Sequence, residues 1–152
     1  MWGMYLTGSK QFNLDAKGRL TLPATYRKDF EEQGQVTLIP LQDALYGFTP
    51  DGFGQWVESF FQKDGKKFSP SNRRQVALRR KLTGSAVTVD IDSAGRIALG
   101  KVDAEKRKAL GLKRDVTVVG VVDHFEVWNT ERWEAENAAL DDELDALMFD
   151  ED

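Results

Sequence analysis

Apolar and polar residues alternate along two short stretches of the chain that lie 77 residues apart. In the first stretch Phe12 and Leu14, then Leu20 and Leu22, are separated by polar neighbours, and the same alternation surrounds the sequence D-S-A-G-R further along. A period of two on both sides of a short loop predicts a β-hairpin. Each loop carries one glycine near its end, where a left-handed residue is expected.

The two hairpins belong to a longer internal repeat. Residues 12–22 match residues 89–99, and three pairs are identical: Asp15/Asp92, Gly18/Gly95 and Arg19/Arg96. Residues 36–39 and 43–48 then match 116–119 and 123–128 at an offset of 80. The offset returns to 77 if Trp56 is matched with Trp133, which predicts three extra residues after Phe48 in the first copy. The chain therefore contains two homologous modules.

Each module is predicted to form a hairpin, a short helix, two strands and a closing helix. Pro23 is expected at the first position of one short helix and Asp103 at the N-cap of the other. The closing helices are expected to start at Asp51 and Thr130, and their apolar stripes indicate core or subunit contacts. The fold class is α+β and rich in strands. We divide the chain into a first module at 9–56, a helical linker at 57–84, a second module at 85–133 and an acidic helical tail at 134–152.

The linker combines an exposed loop with a basic helix. The dipeptide Ser69-Pro70 predicts the start of this helix. Its basic residues are Arg73, Arg74, Arg79, Arg80 and Lys81. They form either a basic patch or the polar face of an amphipathic helix whose arginines pair with acids of neighbouring subunits.

Composition excludes several kinds of site. The chain has 152 residues, no cysteine and a single histidine, His124. A disulfide frame, a thiolate zinc site and a cysteine nucleophile are therefore impossible, and one histidine does not build a His-rich metal site. No stretch approaches the roughly 18 apolar residues that a membrane helix requires, and the first ten residues lack the pattern of a signal peptide. We expect a cytoplasmic protein with no cofactor, no metal and no membrane contact.

The charges are unevenly distributed. The formal net charge is −4, from 21 basic and 25 acidic residues. Nine of the acids and none of the bases lie in residues 134–152, so residues 1–133 carry a net charge of +5. The tail is either a solvated helix face or a segment that offsets a basic, polyanion-binding body.

The repeated loops offer two kinds of chemistry. As an enzyme, the protein would need Asp15 and Asp92 to converge on one pocket as an acid and a base. The sequence supplies no Ser-His-Asp set, no glycine-rich phosphate loop and no cluster with metal-ligand spacing. As a binding module, each aspartate would anchor its turn and orient the arginine four residues later, which suits a guanine edge or a phosphate. The aspartate and arginine could also do no more than hold the turn.

Three segments of the chain resemble one known family. They are F-N-L-D-A-K-G-R-L-T-L-P-A-T-Y-R at 12–27, I-D-S-A-G-R-I-A-L at 91–99 and F-E-V-W-N-T-E-R-W at 125–133. The chain is similar in these to the MraZ family of bacterial transcriptional regulators. The resemblance implies two tandem SpoVT/AbrB-like swapped-hairpin modules, a pseudo-twofold β-barrel core with flanking helices, and protomers that assemble into a homo-oligomeric ring.

The resemblance also implies a function. Members act in the cytoplasm, often at the nucleoid, where they bind direct repeats in double-stranded DNA upstream of their own gene in the division and cell wall cluster and usually repress it. The DNA-binding residues implied for this chain are Asp15, Lys17, Gly18, Arg19, Asp92, Gly95 and Arg96. Because Ala94 replaces the cation found at Lys17, we expect the second loop to bind more weakly. No small-molecule substrate is expected. The alternatives are a ring-forming structural protein without DNA binding and a small enzyme.

Overall fold

The predicted hairpins, short helices and strands form in both modules. The computed structural model describes residues 5–63 and 65–150. Outside the described residues lie residues 1–4, which belong to the N-terminal segment without a signal-peptide pattern, and two acids of the tail, Glu151 and Asp152. The first module forms β1 (Ser9–Asn13), β2 (Arg19–Thr21), α1 (Ala24–Glu31), β3 (Gln35–Pro40), β4 (Leu45–Phe48) and α2 (Pro50–Ser59). After α3 (Arg73–Ser85), the second module forms β5 (Val87–Asp90), β6 (Arg96–Ala98), a 3₁₀ turn (Leu99–Lys101), α4 (Ala104–Ala109), β7 (Asp115–Gly120), β8 (Phe125–Asn129) and α5 (Thr130–Phe149).

Within the described residues, the main sheet has six antiparallel strands in the order β1-β7-β8-β4-β3-β5. Exchanging each strand for its counterpart in the other module reverses this order, so the sheet has a pseudo-twofold axis between β4 and β8. The first strand of each hairpin pairs with the other module, β1 with β7 and β5 with β3. The hairpins are therefore swapped, and neither module completes its sheet alone.

The second strands of the two hairpins form a separate antiparallel ribbon, β2–β6, which packs over the main sheet. Leu20 lies directly opposite Ile97 in this ribbon, and both side chains are fully buried. They join Val36, Leu38 and Val116 in one apolar cluster to which both modules contribute. Ribbon and sheet thus enclose a barrel-like core, which confirms the expected α+β class with two swapped modules.

The opposite face of the sheet is covered by helices. Ile39 and Phe48 point away from the barrel core because strand residues alternate between faces. They pack with Phe53 and Val57 of α2 and with Leu82 of α3. The basic helix α3 is therefore held against α2. Arg79 donates to Glu58 of the same chain, from Nη2 at 2.8 Å, and lies over Phe68, so this arginine pairs within the chain.

Two predicted helix starts need correction. Pro23 precedes α1 as its N-cap, whereas Asp103 caps α4 as expected by accepting from the Lys106 backbone N–H at 3.1 Å. The helix predicted from Ser69-Pro70 begins only after Asn72, whose side chain accepts from two backbone N–H groups. Asparagine caps a helix with its side-chain oxygen, which explains the later start.

The match of Trp56 with Trp133 is also wrong. The closing helices begin after Thr49 and Asn129, which keeps the offset at 80. Phe53 packs edge-on against Phe48 at 5.8 Å, as Trp133 does against Trp128 at 5.3 Å. Trp133 is therefore the counterpart of Phe53. The extra residues of the second module form the 3₁₀ turn between β6 and α4.

The division at residues 56, 84 and 133 stays a prediction. Each boundary falls inside a helix, in α2, α3 and α5 respectively.

The end of α5 leaves its apolar side chains exposed to solvent on the single chain. Leu144, Leu147, Met148 and Phe149 are half to three-quarters exposed.

Candidate nucleic-acid interface

The first hairpin loop is closed by Asp15. One carboxylate oxygen, Oδ1, accepts from the backbone N–H groups of Lys17 at 2.9 Å and Arg19 at 2.8 Å. The other oxygen, Oδ2, accepts from Arg19 Nε at 2.7 Å. Gly18 has φ +72°, a left-handed conformation that glycine adopts without the steric cost paid by other residues. The turn therefore fixes the position of the Arg19 side chain.

The second loop repeats this geometry. Asp92 accepts from the backbone N–H groups of Ala94 and Arg96, each at 2.9 Å, and from Arg96 Nε at 2.8 Å. Gly95 has φ +80°. In both loops the arginine uses Nε to hold the aspartate. Within residues 5–63 and 65–150, the terminal Nη groups of Arg19 and Arg96 donate no hydrogen bond to the protein.

The electrostatics of the two aspartates match as well. The backbone N–H of Arg19, followed by its guanidinium, holds the pKa of Asp15 below its usual value, and Arg96 lowers the pKa of Asp92 in the same way. An acid and base pair requires two carboxyl groups with separated pKa values. These two shift in the same direction and each is tied to its own turn. The geometry therefore favours anchoring of the arginines over proton transfer.

The ribbon brings the two arginines onto one surface. Arg19 lies opposite Ala98 in β2–β6, and Arg96 lies opposite Thr21. Because Leu20 and Ile97 point inward, their neighbours Arg19 and Arg96 point outward on the same face. Diagonal neighbours on an antiparallel pair lie roughly 7–8 Å apart. Two loops separated by 77 positions in sequence thus form one surface with two oriented guanidinium groups.

The surroundings of the two loops differ. The backbone N–H of Leu14 donates to the Arg114 carbonyl at 2.8 Å, and at the equivalent place Ile91 donates to the Gly34 carbonyl at 2.9 Å. A groove beside the first loop is lined by Asp15, Gly18, Lys113 and Arg114, among others. The groove beside the second loop instead includes Arg27, Glu31, Gly34, Asp92 and Gly95. Each loop is therefore flanked by the other module.

Comparison with known proteins identifies the family. The family described as "MraZ protein, putative antitoxin-like" matches residues 5–77 and 82–147. The chain belongs to the MraZ family. A relative from Alcanivorax borkumensis, "Transcriptional regulator MraZ", is 34% identical over 142 residues, which cover 89% of this chain and 90% of the relative.

Other MraZ relatives are similar over comparable lengths. The "Transcriptional regulator MraZ" of Corynebacterium urealyticum is 37% identical over 128 residues, or 83% of this chain and 82% of the relative. That of Methylobacillus flagellatus is 32% identical over 150 residues, or 93% of this chain and 98% of the relative. The family resemblance inferred from the three sequence segments is confirmed. The roles of the individual loop residues in this MraZ chain stay a prediction.

Sequence reasoning missed Lys113 and Arg114. They lie in the second module but line the groove at the first loop, a contact that the swap creates between residues about a hundred positions apart. The signal was present in the repeat, because at the offset of 80 these two cations correspond to Gln33 and Gly34. The pairing of strands was needed to show which loop they flank.

A second polar cluster lies away from the loops. His124 is buried between the rings of Tyr46 and Phe48, with Nδ1 at 2.8 Å from Asp123 Oδ1 and Nε2 at 3.0 Å from Glu126 Oε2. Burial opposes the charged imidazole, but the hydrogen bonds to Glu126 and Asp123 raise the pKa of His124 above its usual value. Among the described residues, no group of three or more acidic, histidine or cysteine side chains is placed to hold a metal ion.

No described helix combines the length and apolar character that crossing a bilayer requires.

Proposed function

We propose that this member of the MraZ family is a sequence-specific, DNA-binding transcriptional regulator. The observation that supports it best is the pair of anchored arginines on the outer face of the β2–β6 ribbon. Arg19 and Arg96 each keep their terminal nitrogens free of hydrogen bonds to the described residues. A guanidinium held in this way loses less conformational freedom on binding and can form two parallel hydrogen bonds.

The two-stranded ribbon supports double-stranded DNA as the partner. The major groove of B-form DNA admits a two-stranded β-ribbon, and an arginine that contacts O6 and N7 of guanine is the commonest specific contact there. The names of the relatives, which are transcriptional regulators, agree with this partner. We assign the DNA-binding role to Asp15, Lys17, Gly18, Arg19, Asp92, Gly95 and Arg96. In this set the aspartates and glycines shape the loops while the cations touch the DNA.

The proposal includes a homo-oligomeric ring that reads tandem direct repeats. Large apolar side chains exposed on the single chain support self-association, since soluble monomers seldom expose such clusters. They lie near the end of α5, at Leu144, Leu147, Met148 and Phe149. Several weak loop contacts in one assembly would add through effective concentration. A ring matched to spaced repeats would therefore bind more tightly than one chain binds one repeat.

The biological setting completes the proposal. The protein acts in the cytoplasm at the nucleoid and represses its own gene, within the division and cell wall cluster, by binding repeats upstream of that gene. It uses no cofactor, acts on no small molecule and catalyses no reaction. The similarity to transcriptional regulators over most of the chain supports this role.

The test is a salt titration of binding to duplex DNA from upstream of the gene, alongside light scattering for the mass of the oligomer. Neutralising phosphates releases counterions, so affinity should fall steeply as salt rises, by a factor of about 10³ or more between 50 and 200 mM if six phosphates are contacted. A scrambled duplex is the control for sequence preference. A symmetric oligomer with no salt-sensitive affinity for either duplex would instead support a structural ring.

A further inference from the structure

In the second module, the segment that ends beside the first loop at Lys113 and Arg114 is strongly basic. Residues 104–114 contain five cations, and Glu105 is their one acid, for a net charge of +4. The corresponding residues 24–34, beside the second loop, carry a net charge of −1. With one flanking position added at each end, the net charge of 103–115 falls to +2 because Asp103 and Asp115 are included, and that of 23–35 stays at −1.

Two cations of this segment reach the groove of the first loop. Lys113 and Arg114 are exposed and line that groove with Asp15 and Gly18. The Asp15 carboxylate is engaged by Arg19, so it offers them little countercharge. In the described ranges 5–63 and 65–150, neither Lys113 nor Arg114 forms an ion pair. Unpaired cations at one place create a positive potential that attracts a polyanion.

The backbone connection fixes this arrangement. The Arg114 carbonyl accepts from the Leu14 N–H at 2.8 Å, immediately before the loop. The next residue, Asp115, pairs with Asn13 at the end of β1. The two cations therefore stay beside the loop whichever way their side chains rotate.

We propose that Lys113 and Arg114 bind the phosphate backbone of DNA, next to the major groove of the DNA that receives Arg19. This inference rests on the proposed function and adds a division of labour to it. The arginine of the first loop reads base edges, while the cations delivered by the swapped module fix its position on the duplex. The second loop has Gln33 and Gly34 in their place and lacks this anchor. The ligand chemistry is thus a pair of adjacent phosphodiesters.

The experiment removes both cations and follows the salt dependence of binding to a fluorescein-labelled duplex of random sequence. The double variant Lys113→Ala, Arg114→Ala keeps the backbone hydrogen bond to Leu14. The matched control is Arg80→Ala, Lys81→Ala, which removes the same charge from exposed positions on α3. Circular dichroism and light scattering check that both variants keep the fold and the oligomer.

For the loop variant, the slope of log affinity against log salt should become shallower by at least about 1.8, because each neutralised phosphate contributes about 0.9. The control should keep the slope of the unsubstituted protein. If the unsubstituted protein binds with a steep slope and both variants keep it, or both lose it equally, the phosphate role of Lys113 and Arg114 is wrong while DNA binding stands. If the unsubstituted protein shows no salt-dependent binding, the proposed function fails and this inference fails with it.

Discussion

The loops at 15–19 and 92–96 form nearly identical turns in different surroundings. In each, an aspartate accepts two backbone N–H groups and the Nε of an arginine, within 0.1 Å of the same distances. The first loop carries Lys17 and lies beside Lys113 and Arg114, whereas the second carries Ala94 and lies beside a segment of net charge −1. Local sequence sets the turn, and the swapped partner module sets the electrostatic field around it.

The largest expected difference between the loops is in DNA affinity. Arg19→Ala should weaken binding to the upstream DNA by about 1–3 kcal/mol for each base pair that the arginine reads. Arg96→Ala should cost less, because its loop lacks counterparts of Lys17, Lys113 and Arg114. Arg19→Lys keeps the positive charge but loses the planar guanidinium. Its affinity for the upstream DNA should therefore stay well below that of the unsubstituted protein. Fluorescence anisotropy at one fixed salt concentration measures all three variants.

Arg80→Ala on α3 is the control for removal of one positive charge. Equal reductions in affinity from Arg19→Ala and Arg96→Ala would mean that the surroundings do not matter. Unchanged binding by Arg19→Ala in its intact oligomer would contradict the role of the first loop.

The second expected difference is in stability, and it runs the other way. Gly18→Ala meets no atom within 4 Å, so its cost is the left-handed backbone alone, about 1–2 kcal/mol. In Gly95→Ala the new Cβ would lie 2.6 Å from Arg27 Nε, so that side chain must also move away from the Leu22 carbonyl. Chemical denaturation should therefore show a greater decrease in stability for Gly95→Ala.

Gly54→Ala provides the matched control, because Gly54 is an exposed interior residue of α2 with open space around it. This substitution should stabilise the protein by about 0.5–1 kcal/mol. If Gly95→Ala is no worse than Gly18→Ala, the contact between Arg27 and the second loop has no energetic weight.

The third expected effect concerns the acidic tail and the basic surface of the first loop. Truncation after Leu140 removes seven acids and should raise affinity for random DNA more than affinity for the upstream sequence, if the tail restrains non-specific binding. Competition between the two duplexes measures the ratio. An equal change on both would mean that the tail only alters net charge. Light scattering is needed here, because the deletion also removes exposed apolar residues of α5.

The smallest expected effect concerns His124, which immediately precedes β8 in the second module. His124 stands where the first module has Ala44, and its pKa is raised by Glu126 and Asp123 against the effect of burial. A raised folded pKa stabilises the fold fully below the usual histidine value of 6.5, and this stabilisation is lost as pH rises through the raised value. The free energy of unfolding should therefore fall as the pH rises above about 6.5.

The His124→Gln variant should lack this decline, because glutamine does not titrate. Tyr46, stacked on the imidazole, has a pKa raised by burial and stays neutral while the histidine titrates. An unchanged pH profile in the variant would assign the decline to another group.

Much of the fold follows from local patterns in the sequence. Alternation predicts the hairpins, the repeated glycines predict the left-handed positions, and Asp103 predicts a helix cap, because each depends on neighbours in the chain. Pro23 and Pro70 mislead by one to three residues, since a proline is compatible with several positions before a helix.

Only part of the candidate site could be predicted from the sequence. The aspartate and arginine of each turn are four residues apart and predict their own contact. The placement of both arginines on one ribbon, and of Lys113 beside the first loop, depends on strand pairing between modules. Such contacts are long-range, and no local propensity encodes them.

Cross-linking from the loops tests the central claim most directly. The chain has no cysteine, so single cysteines can carry a photoactivated cross-linker. Ala16→Cys and Ser93→Cys occupy matched exposed positions of the two loops, and Ala77→Cys on α3 is the control. We predict that cross-linking to the upstream duplex is strongest from position 16, weaker from 93 and at background from 77. Equal yields from 16 and 77 would contradict the assignment of the first loop as the DNA-contacting surface.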